Sequence, residues 1–388
     1  MTVLRGLRVL DLGNFITAPL ASMLLGELGA DVIKIERPGT GDPFRAFKGG
    51  LYSTQFQAHN RNKRSLSLDY TRPEGLAVLD RLVAQADAII LNMRPGVEDK
   101  LGLGAERLQA LNPRLVVCSI TGFGASGPYA SRPAYDNVGQ AASGWLSMFH
   151  AGADPKVAGP AVSDAVAGLY AALGVLGALV ERAQTGRGRK VEVSMLEAMI
   201  AMACEPLAAM MATGQAPSLY GRAAMSQSYV VTCRDQRRIG LHLSSPEKFW
   251  RGLVAAIERP DLLAAYPTRA ERVERYPALA ATLAEVFAGQ DRDYWEPRLE
   301  RHDVPFMPER RLDELADDPQ VQHQGVFYEQ VHPRHGALRA AHRPVRYDGD
   351  NRSDFRPPPD LGEHTAEVLR EAGLSAQDLD ILQQAGVV

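Results

Sequence analysis

One long apolar segment in the middle of the 388-residue chain limits the folds that are open to it. Residues 165–183 are nearly all small or apolar, which predicts a helix buried on most of its surface. Glycine costs a helix about 1 kcal/mol relative to alanine, so we expect another backbone or a ligand to come close to Gly168, Gly174 and Gly177. A turn then ends the helix, and residues 190–194 alternate like a strand.

The amino end of this helix carries Asp164, directly preceded by Ser163. Both residue types are favoured helix caps, so one interpretation is that either residue simply caps the helix. The alternative is that Asp164 is a nucleophile. Unpaired backbone N–H groups and the positive end of the helix dipole would keep its carboxylate ionised and would stabilise an oxyanion. The position alone leaves both interpretations open.

The composition is that of an ordinary globular protein, with 45% hydrophobic and 23% charged residues. A formal net charge of −3 gives no global sign of binding to nucleic acid or to an anionic membrane.

The three cysteines are widely spaced in apolar or strand-like runs, which predicts reduced thiols and no disulfide framework or zinc site. The first residues lead into a strand without the features of a signal peptide, so we expect a soluble, cytoplasmic protein.

Strand-like and helix-like segments alternate through the first half of the chain, which predicts an α/β fold with a doubly wound, Rossmann-like parallel sheet. The predicted strands lie near residues 7–12, 31–36, 65–69, 88–92, 115–120 and 190–194. The loop after the first strand has no G-x-G-x-x-G fingerprint, which removes the main support for a dinucleotide. A basic run at 60–64 is either a solvated face or a phosphate contact. A hairpin and helices over 220–305 predict a smaller α+β domain.

Familiar catalytic motifs are missing from the sequence. It has no G-x-S-x-G nucleophile elbow and no P-loop. The nine histidines are scattered, and no pair has the spacing of metal ligands. The residue pattern by itself predicts an α/β enzyme of small-molecule metabolism.

Seven stretches of the chain carry a further signal: LRGLRVLDLG, LLGELGADVIKIERPGTGDPFR, NKRSLSLDYTRPEG, NMRPGVEDKLGLG, ITGFGASGPYASRPAYDNVGQAASG, ERAQTGRGRKVEVSMLEA and LGEHTAEVLREAGLS. They resemble the family III coenzyme A transferases, a group that includes formyl-CoA and carnitine CoA-transferases and α-methylacyl-CoA racemases. The resemblance therefore spans nearly the whole chain. It implies an interlocked, ring-like homodimer whose large CoA-binding domain joins residues 1–215 and 306–388.

The resemblance implies a covalent mechanism on Asp164, which matches the family's catalytic aspartate. That carboxylate would attack an acyl-CoA donor to give a mixed anhydride, and the CoA thiolate would return to give an aspartyl-CoA thioester. An acceptor carboxylic acid would then form a second anhydride and receive CoA. The coenzyme A thioester is the substrate in this scheme, and no metal or redox cofactor is required. Succinyl-CoA and a short dicarboxylate or hydroxy acid are the expected pair.

The resemblance also implies a set of CoA contacts. By position these are Phe15, Ile16, Thr17, Arg37, Asn92, Met93, Arg94, Lys100 and Tyr135. Pro133 stands where some relatives have a lysine, and the glycine-rich loop of formyl-CoA transferase is not recognisable near 222–229. We therefore expect an acceptor pocket of different shape, lined by Met225, Gln227 and Tyr229.

Three alternatives to a transferase between two acids stay open at this stage. A racemase would need a histidine where this chain has Tyr135, and a tyrosine with a pKa near 10 is a poor base at neutral pH. An intramolecular transferase would move CoA between two carboxyls of one diacid with the same Asp164. A non-catalytic CoA-binding subunit would keep the binding loops without the chemistry.

Overall fold

A six-stranded parallel sheet forms the centre of the larger part of the chain. The computed structural model describes residues 3–47, 49–149, 159–244, 247–350 and 355–388. The chain divides into two units, the first formed by Met1–Ser147, Gly152–Cys204 and Gly325–Val388, and the second mainly by Glu205–Gln324. His150, whose role the sequence leaves open, lies outside the described residues.

The order of the strands creates a crevice at one point of the sheet. The strands are β1 (Arg8–Asp11), β2 (Asp31–Glu36), β3 (Lys63–Ser67), β4 (Ala88–Leu91), β5 (Val116–Thr121) and β6 (Lys190–Ser194). Their order is 3-2-1-4-5-6, every neighbouring pair is parallel, and the prediction of a parallel α/β sheet is confirmed. The winding reverses between β1 and β4, and ligands of such sheets bind at this reversal, beyond the carboxyl ends of the strands.

Helices cover both faces of the sheet. They are α1 (Thr17–Glu27), α2 (Thr54–Asn60), α3 (Pro73–Val83), α4 (Val97–Lys100), α5 (Ala105–Leu111), α6 (Asp136–Ala142), α7 (Val162–Thr185) and α8 (Met195–Met202). On one face Leu10 and Ile33 pack in a core with α3 and α5. On the other face Val9 and Val32 pack with α1 and α7. Because both of their faces are buried, the four central strands are rich in apolar residues and visible in the sequence, whereas the edge strands β3 and β6 are mostly polar.

Helix α7 is less buried than its sequence predicts. One face packs in the core with α1 and the sheet, and a Cβ on Gly168 would lie only 2.9 Å from the carbonyl oxygen of Thr17. The other face is open: the side chains of Leu169, Leu173 and Val180 are 54%, 62% and 66% exposed. The prediction of a helix buried on most of its surface is therefore wrong for the single chain, because only one side of α7 reaches the sheet.

The other two glycines of α7 differ from each other. A Cβ on Gly174 would lie 2.7 Å from a methyl group of Val191, whereas Gly177 has no neighbour within 4 Å. Close approach therefore explains Gly168 and Gly174 but not Gly177.

By length and composition α7 could also cross a membrane, but its buried face belongs to the core of the first unit.

The second unit contains a three-stranded antiparallel sheet and a set of helices. Its elements are α9 (Cys204–Thr213), α10 (Gly221–Ser226), β7 (Ser228–Thr232), β8 (Arg238–His242), α11 (Glu247–Ala256), α12 (Asp261–Ala265), α13 (Arg269–Glu274), α14 (Tyr276–Phe287), α15 (Arg292–Arg301), β9 (Phe306–Pro308) and α16 (Pro319–Gln324). The unit is longer than the predicted domain over 220–305. Strand β9 hydrogen-bonds to β8, which keeps the chain in this unit beyond residue 305.

The chain then returns to the first unit. It forms β10 (Phe327–His332), β11 (Gly336–Ala341), α17 (Thr365–Glu371) and α18 (Ala376–Gln384). Strands β10 and β11 pair as an antiparallel hairpin, and α17 is tied to β3 by a hydrogen bond from the backbone N–H of Ser67 to Thr365 Oγ1. Ser375 caps α18, because its hydroxyl accepts the backbone N–H of Asp378 at 3.2 Å. Amino-terminal and carboxyl-terminal segments thus build one unit together.

Candidate active site

A cavity of about 230 Å³ lies beyond the carboxyl ends of β1 and β4. Its walls come from the loops that follow β1, β4 and β5 and from the first turn of α7. Asp164 is the one carboxylate among the described residues that line it. The predicted CoA contacts found in the lining are Phe15, Ile16, Thr17, Asn92, Met93, Arg94 and Tyr135. The structure thus brings most of the predicted site residues to one place.

Two predicted contacts lie outside this lining. Arg37 follows β2 and Lys100 ends α4, and both side chains are exposed. A cofactor as long as CoA extends well beyond a cavity of this size, so both positions stay predictions for its outer part.

At the crevice, Asn92 connects the loop that follows β1, here called the first loop, to the loop that follows β4. Its Oδ1 accepts the backbone N–H of Asn14 at 3.0 Å, and its Nδ2 donates to the carbonyl of Asn14 at 2.7 Å and to Thr17 Oγ1 at 3.0 Å. The first loop also contains Phe15 at a φ of 62°, a left-handed conformation that costs a non-glycine residue free energy. Asp42 accepts the backbone N–H of Phe15 at 3.2 Å and so helps to hold this conformation.

A fully buried ionic cluster lies beneath the first loop. Lys63 donates to Asp11 Oδ2 and to the carbonyl of Pro19, both at 2.8 Å, and Lys34 donates to the carbonyl of Gly13 at 2.8 Å. Burial favours the neutral form of Asp11, but Lys34 and Lys63 outweigh it and lower the pKa of Asp11 to about 2. The basic run at 60–64 is therefore neither wholly solvated nor free for phosphate, because Lys63 supports the loop from inside.

The first turn of α7 is capped by a residue of another helix. Asp136 Oδ1 accepts the backbone N–H of Ser163 at 2.8 Å and that of Asp164 at 3.3 Å. Neither Ser163 nor Asp164 caps α7, whose N-cap residue Ala161 makes no side-chain hydrogen bond. The expectation that one of them serves as the cap is therefore wrong. Asp136 occupies the N–H groups that were expected to serve Asp164.

This arrangement changes the expected charge state of Asp164. Burial disfavours its charged form and the nearby Asp136 carboxylate repels it, which together raise the pKa of Asp164 to about 7. The sequence had predicted a firmly ionised carboxylate held by the helix N-terminus. A carboxyl group near neutrality, facing a cavity, is a common property of catalytic residues.

Comparison with known proteins shows the family of the chain. The sequence model described as CoA-transferase family III matches residues 4–365. The chain belongs to this family. It is 32% identical to the human succinyl-CoA:glutarate CoA-transferase, over 99% of this chain and 90% of that protein. It is 31% identical to the formyl-CoA:oxalate CoA-transferase of Rhodopseudomonas palustris, over 99% and 97% of the two chains.

Solved structures show the same relationship. A CaiB/BaiF family protein from Brucella suis superposes with a TM-score of 0.82 and 30% sequence identity, over 95% of this chain and 99% of that one. The chain is therefore a family III CoA-transferase, a class of enzyme whose substrates are CoA thioesters.

Two charged residues of the candidate site were not among the residues predicted from the sequence. Arg132 lines the cavity, is exposed, and lies over the ring of Tyr129 at 4.1 Å. Asp136 caps α7 as described above. Both belong to the stretch SRPAYDNVG around Tyr135, which the sequence had marked. Tyr135 itself is 63% exposed and lies edge-on to Phe15, with ring centroids 5.8 Å apart.

The predicted acceptor pocket is only partly accessible. Gln227 and Tyr229 are buried inside the second unit, where the Tyr229 hydroxyl donates to Gln227 Oε1 at 3.0 Å. Met225, in contrast, is 51% exposed. Gln227 and Tyr229 are therefore almost fully buried in the second unit, and Met225 is the exposed member of the predicted set.

Two of the nine histidines, which form no recognisable motif in the sequence, lie close together in the first unit. His332 and His335 lie with Asp360 in a cluster of metal-ligand dimensions. However, His332 Nδ1 accepts the backbone N–H groups of Arg334 and His335 at 3.1 and 3.3 Å, which places the ring proton on Nε2. A protonated Nε2 cannot bind a metal, and Arg334 already forms an ion pair with Asp360. The cluster is better explained as a support for the segment after β10.

Proposed function

We propose that this enzyme transfers coenzyme A from succinyl-CoA to a short dicarboxylate through covalent intermediates on Asp164. The observation that carries the proposal is the position of Asp164, the one carboxylate in the described lining of a cavity that most of the expected CoA contacts share. A pKa near 7 leaves a large fraction of Asp164 ionised at neutral pH and makes that carboxylate a stronger nucleophile than an ordinary aspartate.

Each step of the proposed reaction exchanges one acyl bond for another. Asp164 attacks the donor thioester carbon, the C–S bond breaks, and CoA leaves as the thiolate. The thiolate attacks the aspartyl carbon of the resulting anhydride, which releases the donor acid and leaves an aspartyl-CoA thioester. The acceptor carboxylate displaces the thiolate to form a second anhydride. The thiolate then attacks the acceptor's acyl carbon, which yields acceptor-CoA and restores Asp164.

Two exposed cations support a dicarboxylate substrate. Arg94 and Arg132 both line the cavity that contains Asp164. One carboxyl group of a diacid takes part in the reaction, so a cation is needed for the other. The name of the human relative, a succinyl-CoA:glutarate CoA-transferase, fits a diacid donor and a diacid acceptor.

Mass spectrometry of the intact protein tests the covalent mechanism. We expect succinyl-CoA to give an adduct that maps to Asp164 after trapping with hydroxylamine or borohydride. Asp164→Ala should give none, whereas Glu106→Ala, which removes an exposed acid on α5 outside the cavity, should react like the wild type. Absence of an adduct together with exchange of the α-proton in deuterated water would replace the transferase mechanism with that of a racemase.

We also propose that the enzyme is a homodimer. The open face of α7, formed by Leu169, Leu173 and Val180, is a continuous apolar strip along one side of the helix. Such a strip in a water-soluble enzyme indicates a protein interface. Sedimentation equilibrium should give twice the mass of the 42.2 kDa chain, and a monomer at micromolar concentration would contradict the proposal.

A further inference from the structure

The start of α7 is locked to α6 by an unusually close contact. A Cβ on Gly139 of α6 would lie 2.2 Å from the hydroxyl oxygen of Ser163, so any larger residue at this position would force Ser163 to shift. Ser163 is fully buried at the contact. The first turn of α7, including Asp164, is therefore packed directly against α6.

Asp136 is fixed at this junction from two sides. Its Oδ1 faces the backbone N–H groups of Ser163 and Asp164. Its Oδ2 accepts a hydrogen bond of 2.6 Å from Nε2 of Gln140, one turn further along α6, and the Gln140 side chain is buried. The carboxylate thus has both oxygens engaged, and its orientation toward α7 is determined by the fold.

We propose that Asp136 is a positioning residue for the CoA transfer: it holds the first turn of α7 through two backbone hydrogen bonds and places a negative charge beside Asp164. The inference rests on the proposed role of Asp164 as the nucleophile. By occupying the N–H groups of the helix start, Asp136 keeps the Asp164 carboxylate free of donors that would weaken it as a nucleophile.

Among the residues that the structure describes, Asp136 combines a hydrogen bond to the first turn of α7 with a charge that acts on Asp164, and this charge adds to the effect of burial on the pKa of Asp164. The other described ionisable groups nearby have different positions. Tyr135, Arg94 and Arg132 line the same cavity. On α8, Glu197 accepts a hydrogen bond from the hydroxyl of Ser194, its own helix cap.

The test is the pH dependence of the first half-reaction, measured as adduct formation on Asp164 in a single turnover with succinyl-CoA. Asp136→Asn keeps an oxygen that accepts the two N–H groups but removes the charge. We expect its rate profile to have a midpoint about one pH unit or more below that of the wild type, with a slower rate at high pH. Asp136→Ala should show the same shift and lower thermal stability, because the cap is lost as well.

Glu106→Gln removes a charge of the same sign from the surface of the same unit and should leave the midpoint unchanged. A purely structural role would lower the stability of Asp136→Ala without moving the midpoint in Asp136→Asn, and that result would overturn the inference. If the wild type itself forms no adduct, it is the proposed function that fails, so the two failures are distinguishable.

Discussion

The side-chain amide of Asn92, which directly follows β4, donates a hydrogen bond of 3.0 Å to Thr17 Oγ1 at the start of α1. The same side chain makes two further hydrogen bonds to the backbone of Asn14. One residue therefore fixes the distance between the two loops that bound the crevice. We expect the binding of a CoA thioester to depend on this distance, since residues of both loops line the cavity.

Replacement of Asn92 by alanine should mainly weaken binding. We expect the KM for the acyl-CoA donor to rise about tenfold, because three hydrogen bonds that preorganise the loops are lost. The value of kcat should fall less, since Asp164 is held by other elements. Steady-state kinetics with succinyl-CoA as the varied substrate measures both values.

Asn112 provides the matched control. Its side chain donates to the carbonyls of Val83 and Ala86 at 2.9 and 2.8 Å, away from the cavity. Asn112→Ala should lower stability and leave the KM unchanged. A KM that rises equally in both variants would show that Asn92 acts only through general stability.

The raised pKa of Asp164 predicts a specific pH dependence of stability. Between the ordinary value of 3.8 and about 7 the folded protein holds a proton that the unfolded chain loses, so wild-type stability should fall as pH rises through this window. One pKa unit corresponds to about 1.4 kcal/mol, and partial exposure of Asp164 reduces the total penalty to about 2 kcal/mol.

Asp164→Asn removes this penalty. We expect the variant to unfold at a higher urea concentration than the wild type at pH 8, with a difference of about 2 kcal/mol in the free energy of unfolding, and to match it near pH 4. A difference that grows as pH falls would mean that Asp164 is stabilised in its charged form. Glu106→Gln should follow the wild type at both pH values.

The central strands were predictable because both of their faces are buried, and the edge strand β6 because its residues alternate in exposure. Residues 31–36 and 190–194 were predicted with the bounds that the structure shows, since apolar or alternating runs between turn residues have one simple explanation. A local sequence pattern is sufficient to predict an element where burial alone determines which residue types it contains.

Partners that are distant in sequence were not predictable from pattern. Asp136 reaches the N–H of Asp164 from 28 residues away, and only the close packing of α6 on α7 brings the two together. Lys63 lay in a basic run that local composition assigns to the surface, yet it is fully buried against Asp11. A sequence shows that charges are present, but the fold decides which of them meet. The predicted site residues therefore came from resemblance, and the electrostatics of the site came from the structure.

Arg132 should contribute to the choice of acceptor. If its guanidinium binds the carboxyl group that does not react, Arg132→Ala should raise the KM for glutarate about tenfold or more and change the KM for a monocarboxylate of the same chain length little. Arg132→Lys should restore part of the affinity, because the charge remains while the bidentate geometry is lost. Equal losses for both acids would assign Arg132 to CoA binding instead.

Lys63 should contribute strongly to stability although it touches no substrate. Its ammonium group is fully buried and donates to Asp11, to Asn60 and to the carbonyl of Pro19, each at 2.8 Å. Lys63→Met leaves these acceptors buried without their donor, which costs about 3 kcal/mol or more when one partner of a buried ion pair is removed.

Urea unfolding at pH 7 should show this loss, whereas Lys100→Met, at an exposed position, should stay within about 0.5 kcal/mol of the wild type. An unchanged stability of Lys63→Met would mean that Lys34 alone compensates Asp11 and that the first loop does not depend on the cluster beneath it.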